Sequence, residues 1–209
     1  MMTDGYFLPA GKARLCRWAG MMFLLAAAVM PIVIAFAGLT PGATPICGGG
    51  YGCVWKASAT ALLPEETRAG IEESPRARAR LETYAARADV RAGLAAIRAI
   101  DLLPFMALLG SIGVALRRLG GTGVDTLERA LPWLRYASLA AIVWALAGPV
   151  YESALETWLS PGTPSGFQVV TTVTLAPIAG GLLLALAAYA AIWAVEAALE
   201  ARRDLDRFV

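Results

Sequence analysis

The stretch Trp18–Leu39 reads WAGMMFLLAAAVMPIVIAFAGL and holds no ionisable side chain. A helix needs roughly 20 mostly apolar residues to cross the hydrocarbon core of a bilayer, and this run supplies them. Three more apolar stretches follow, at about 100–117, 134–151 and 169–195. In hydrocarbon each backbone N–H and C=O must be bonded within its own segment, so such stretches are helices. The alternation of apolar and polar positions expected of a β-barrel is absent. The sequence therefore predicts an all-α fold: a single membrane domain over 1–209, an integral membrane four-helix bundle with a long loop at 40–98.

Composition agrees. Of 209 residues, 58% are hydrophobic and only 16% charged, against about 25% charged in an ordinary soluble domain. Mean hydropathy is +0.60. These values exclude a disordered chain and a nucleic-acid-binding module. The chain has no histidine, which removes His-based metal and haem sites, Ser-His-Asp triads and His proton shuttles. No Walker loop, no dinucleotide fingerprint after a strand and no Cys-x-x-Cys pair is present. No catalytic residue, metal ligand or cofactor is expected.

Charge sets the orientation. Lys12, Arg14 and Arg17 precede the first span; Arg117, Arg118, Arg129 and Arg135 lie between the second and third; Arg202, Arg203 and Arg207 follow the fourth. The short connection after the third span carries Glu152 and Glu156 and no Lys or Arg. The positive-inside rule places both termini and the middle loop in the cytoplasm of a bacterial inner membrane. The basic start and the triplet Ala35-Phe36-Ala37 also fit a cleavable signal. The apolar run exceeds the roughly 7–15 residues of a signal core, which favours an uncleaved anchor.

The outer loop has two halves. Residues 40–52 are rich in Gly and Pro, ending in a ring of five residues between Cys47 and Cys53. On the oxidising side of the membrane a structural disulfide between these two is the first reading; free thiols and a redox-active pair are the others. From Ser74 the chain reads as an amphipathic helix. Ser74 suits the N-cap and Pro75 the first helical position. Leu81, Tyr84, Ala88, Leu94 and Ile97 recur near helical spacing, and Arg78 and Glu82 are four apart. The helix either binds anionic lipid or packs on the outer ends of the spans.

Charges inside spans mark transport or proton relays, and few are found. Asp101, near the outer end of the second span, is a candidate polar site at the outer face, or an interfacial carboxylate paired with Arg98. Glu152 and Glu156 share a helix face there and form a second candidate, or a solvated helix end. Small residues recur at four-residue spacing at Ala107, Ser111 and Ala115, and at Ala137, Ala141 and Ala145. Such faces let membrane helices approach closely.

Three segments carry a resemblance: Leu116-Arg117-Arg118-Leu119-Gly120, the lead-in Thr126-Leu127-Glu128-Arg129-Ala130-Leu131, and the tail Glu196 to Val209 with Glu200-Ala201-Arg202-Arg203-Asp204-Leu205-Asp206. In these, and in its order of spans, the chain resembles the bacterial membrane proteins grouped as domain of unknown function 2975. The resemblance implies a four-span topology and supplies no catalytic residues. The long outer loop with its two cysteines departs from the pattern.

The leading expectation is a non-enzymatic membrane protein that works by association, with the bilayer, with a membrane-protein partner or with a second copy. One alternative is a four-helix thiol oxidoreductase using Cys47 and Cys53, although such chemistry usually relays electrons through a second pair. Another is a small transporter or channel, its path lined by Asp101, Ser111, Ser138, Thr171, Thr172 or Thr174.

Overall fold

The computed structural model describes the backbone of residues 9–47, 53–121, 126–171 and 175–206. It is helical apart from one hairpin. The order is α1 (Ala10–Leu39), β1 (Ala43–Cys47), β2 (Cys53–Ala57), a 3-10 turn (Ala59–Leu62), α2 (Glu65–Glu72), α3 (Pro75–Ala85), α4 (Ala88–Leu119), α5 (Thr126–Leu159), a second 3-10 turn (Ser160–Gly162) and α6 (Leu175–Asp206). Among the described residues, three helical stretches are long and apolar enough to cross a membrane: Gly11–Phe36, Ala88–Leu119 and Thr126–Gly162. The apolar part of α6, Ile178–Ala194, is shorter.

Local chemistry explains the boundaries. α1 stops where Pro41 follows Thr40, whose N–H and hydroxyl both donate to the Phe36 carbonyl at 2.9 Å. Gly42 then turns the chain into β1 with φ +66°, a conformation that suits glycine. Ser74 caps α3 by accepting from the Ala77 N–H at 3.4 Å, with Pro75 at the first position. Arg78 and Glu82 pair at 3.1 Å. α4 ends at Gly120, whose N–H returns to the Leu116 carbonyl at 3.0 Å.

The chain divides into two compact units. The first comprises Met1–Val29, Leu103–Leu146 and Leu175–Val209. Its interior is built mainly from small residues: Ala13, Ala27, Ala115, Ala130, Ala137 and Ala185 are buried, with Leu131 and Ile192 the large apolar side chains among them. Large apolar side chains point outward, among them Trp18, Met22, Leu139, Val143, Leu183 and Trp193. Close backbone contact requires this inversion. A Cβ at Gly20 would lie 2.7 Å from the Gly113 carbonyl oxygen, and one at Gly113 would lie 2.9 Å from that of Gly20. A Cβ at Gly181 would lie 2.6 Å from that of Ala145. Small-to-small packing with large residues outside is how helices associate where lipid is the solvent.

The second unit comprises Met30–Leu102 and Ala147–Thr174, and it is packed the opposite way. Leu81 and Leu159 are 0% exposed and Val90 1%. Around them lie Leu63, Ile71, Leu94 and Leu155. Each such side chain contributes about 1.5–3 kcal/mol when withdrawn from water, so this is a core of the kind water drives. Long-range hydrogen bonds close it. Tyr84 donates to the Trp158 carbonyl at 3.2 Å, and the Trp158 indole donates to the Val90 carbonyl at 3.2 Å. Arg91 donates to the terminal carbonyls of α1, to Gly38 at 3.1 Å and to Leu39.

Several sequence expectations need correction. The loop at 40–98 holds a hairpin, a 3-10 turn and α2 before the expected helix begins. That helix is two, broken at Ala86–Arg87. Asp89 stands in the first turn of the new helix and takes two hydrogen bonds from Arg87, at 2.8 and 3.1 Å. α3 packs inside the second unit, where Leu81 and Tyr84 meet Gly162. The helix of the third apolar stretch runs past the span's end near 151, through the helix face that Glu152 and Glu156 share, to Leu159. In the fourth, residues 169–171 are not helical, the described helix begins at Leu175, and the Val170 N–H donates to Thr157 Oγ1 at 3.1 Å. The side chains of the C-terminal arginines that set the expected orientation lie outside the described residues.

Candidate functional site

The second unit holds a cavity of about 540 Å³. Ile32, Val33 and Phe36 of α1, Leu94 of α4 and Leu155 of α5 form its apolar walls. Arg98 and Tyr151 supply its polar edge. Arg98 lies four residues after Leu94 and Tyr151 four before Leu155, so each helix contributes one polar and one apolar residue from a single face.

Arg98 is held from two sides. Its Nη1 donates to the Tyr151 hydroxyl at 3.0 Å, and the guanidinium carbon lies 5.2 Å from the centre of that ring. Asp101 Oδ2 stands 3.9 Å from the same Nη1. The expected pairing of Asp101 with Arg98 is thus present, and Asp101 belongs to this cluster. Stacking on the ring and the hydroxyl bond both fix the guanidinium plane.

Glu152 and Glu156 do not line the cavity. They sit on the last two turns of α5, Glu152 exposed and Glu156 half-buried. Tyr151 and Leu155 face the cavity, and helical geometry turns Glu152 and Glu156 about 100° away from them. Among the described residues no group of three His, Cys, Asp or Glu side chains could hold a metal ion.

β1 and β2 are antiparallel, with Cys47 directly opposite Cys53. Opposed residues in such a pair have Cα atoms about 4.5–5.5 Å apart, inside the range that a disulfide spans. The side chains of both lie outside the described residues. Cys16, on α1, is a free thiol.

The residues named for a transport path fall in different surroundings. Ser111 and Ser138 are buried in the first unit, at 8% and 3% exposure. Ser138 lines a cavity of about 440 Å³ whose other walls are hydrocarbon, including Leu108, Leu131, Leu134 and Ile192. Its hydroxyl donates to the Leu134 carbonyl of its own helix at 3.1 Å. Thr171 is exposed, and Thr172 and Thr174 lie outside the described residues. The cavity as described has an apolar lining, unsuited to an ion.

The cavity beside Arg98 was not legible in the sequence, because Tyr151 stands 53 positions away from it. A weak signal existed: aromatic and basic residues spaced four from leucines on two helix ends. No family model, no curated protein and no solved structure matches the chain.

Proposed function

We propose that this chain is an integral protein of a bacterial inner membrane that crosses it four times, keeps both termini in the cytoplasm and acts by association rather than catalysis. The inverted packing of the first unit suits lipid surroundings. The water-type core of the second suits the extracytoplasmic side, where the sequence puts residues 40–98. The observation that carries the associative reading is the preformed cavity of the second unit. Ile32, Val33 and Phe36 lie toward the end of the first span and are 67%, 36% and 46% exposed; unlike the lipid-facing residues of the first unit, they border a cavity edged by a held guanidinium. Such a surface receives an apolar segment of a membrane partner or of a second copy. The resemblance to the domain of unknown function 2975 group supports the topology alone.

The same reading assigns Cys47–Cys53 as a structural disulfide that closes the turn end of the hairpin, since the strand register opposes the two residues. A redox enzyme would need an exposed, activated thiolate; a clamp needs only proximity.

A photo-crosslinking amino acid placed at Phe36 in the full chain tests the reading in intact cells. A discrete protein adduct is expected there and not at Arg80, an exposed position on α3. Mass spectrometry of the adduct separates a second copy from another protein. Absence of any protein adduct at Phe36, with the chain present in the membrane fraction, overturns association through this surface.

A further inference from the structure

The first unit carries a second cavity, of about 330 Å³, lined by Arg14, Arg17, Trp18 and Met21 of α1 and by Arg117 of α4. Three arginines line one hollow. Among the described residues none of the three has a hydrogen bond, ion pair or ring contact. Arg118, the next residue, behaves differently: it donates to the Arg129 carbonyl at 3.1 Å and stacks over Trp133 at 5.5 Å.

The hollow is built by glycines. A Cβ at Gly20 would lie 2.7 Å from Arg117 Cγ, and a Cβ at Gly120 would lie 2.7 Å from Arg17 Cγ. Each helix thus offers a bare glycine on which the other's arginine stem lies. The stems of Arg17 and Arg117 lie against backbone while the charged heads stay unneutralised. Three like charges around one hollow repel each other, so an anion is the complementary occupant. A guanidinium fork matches a phosphate's oxygens better than a lone lysine would. Trp18 and Met21, 60% and 44% exposed, give the hollow an apolar side. A tryptophan at the start of a span lies at headgroup depth.

We propose that Arg14, Arg17 and Arg117 form a binding site for the phosphate headgroup of an anionic phospholipid, with Trp18 and Met21 against the upper part of its acyl chain. Two phosphates on one lipid, as in a diphosphatidylglycerol, match three cations best. The cytoplasmic leaflet follows from the orientation proposed above; the binding itself does not, and the test reads binding alone.

The full chain is purified in a neutral maltoside detergent and given equal amounts of cardiolipin, phosphatidylglycerol and phosphatidylcholine. Native mass spectrometry counts the lipids retained. Wild-type protein is expected to prefer cardiolipin over phosphatidylcholine, with phosphatidylglycerol between. Arg117→Gln should lower that preference about fivefold, the value of one cation at an anionic surface, and Arg14→Gln/Arg17→Gln/Arg117→Gln should abolish it. Arg80→Gln, which removes the same charge elsewhere, should leave it unchanged. Equal retention of the three lipids by wild-type protein overturns the proposal and needs no variant to fold. So does an equal loss in Arg80→Gln and Arg117→Gln. Displacement of the lipid by millimolar inorganic phosphate, but not by chloride at equal ionic strength, assigns the hollow to a free oxyanion and overturns the lipid reading.

Discussion

Gly93→Ala has opposite expected effects depending on one distant residue. Gly93 lies in α4, where a helix interior favours Ala over Gly by about 1 kcal/mol. The Trp158 indole crosses this position. A Cβ at 93 would lie 2.3 Å from indole atoms Cε2 and Cζ2 and 2.5 Å from Nε1. The ring must leave, and with it goes the 3.2 Å bond from Nε1 to the Val90 carbonyl. Displacing a packed ring costs about 1–3 kcal/mol, and losing the hydrogen bond about 1 kcal/mol more. Set against the helix gain, Gly93→Ala should destabilise by about 1–3 kcal/mol. In a Trp158→Ala background the obstacle is gone, and the same substitution should stabilise by about 1 kcal/mol. Thermal unfolding of the full chain in detergent, followed by far-ultraviolet circular dichroism, reads both backgrounds. A Gly93→Ala protein with Trp158 intact that is as stable as the parent would refute the packing described for α4 and α5.

Ser74→Ala should lower the stability of the second unit by about 1 kcal/mol through loss of the α3 cap, measured in the same melt. Leu81→Ala removes a fully buried side chain and should cost about 2–5 kcal/mol; a smaller loss than that of Ser74→Ala would contradict the core assignment. Thiol labelling of denatured, unreduced protein from intact cells should modify Cys16 and spare Cys47 and Cys53 until reductant is added. Cys47→Ser should leave thiol oxidation outside the cytoplasm unchanged, and a clear loss would favour the enzyme reading.

The legible parts of the fold were those set by local chemistry. Ser74 and Pro75 open α3, Arg78 reaches Glu82, and Asp101 meets Arg98 within a turn or so of each other. The apolar runs marked the long helices, because hydrocarbon imposes its own length. What escaped was set by distance or by short segments. β1 and β2 are five residues each, and Pro45 and the intervening glycines read as loop. That α5 runs on past Glu152 and Glu156 was legible, but not that Leu155 and Leu159 at its end fill a core with α3 and α4. The polar edge at Arg98 depends on Tyr151, and the hollow at Arg117 depends on α1. No spacing rule within a single helix reports such a meeting.

The central claim is that the polypeptide passes through the bilayer an even number of times with its ends inside. Fusions made after Asp206 test it directly, one to green fluorescent protein and one to alkaline phosphatase, each paired with a matching fusion at Arg80. Fluorescence without phosphatase activity at Asp206, and the reverse at Arg80, is the expected result. Active phosphatase at Asp206 would contradict the account.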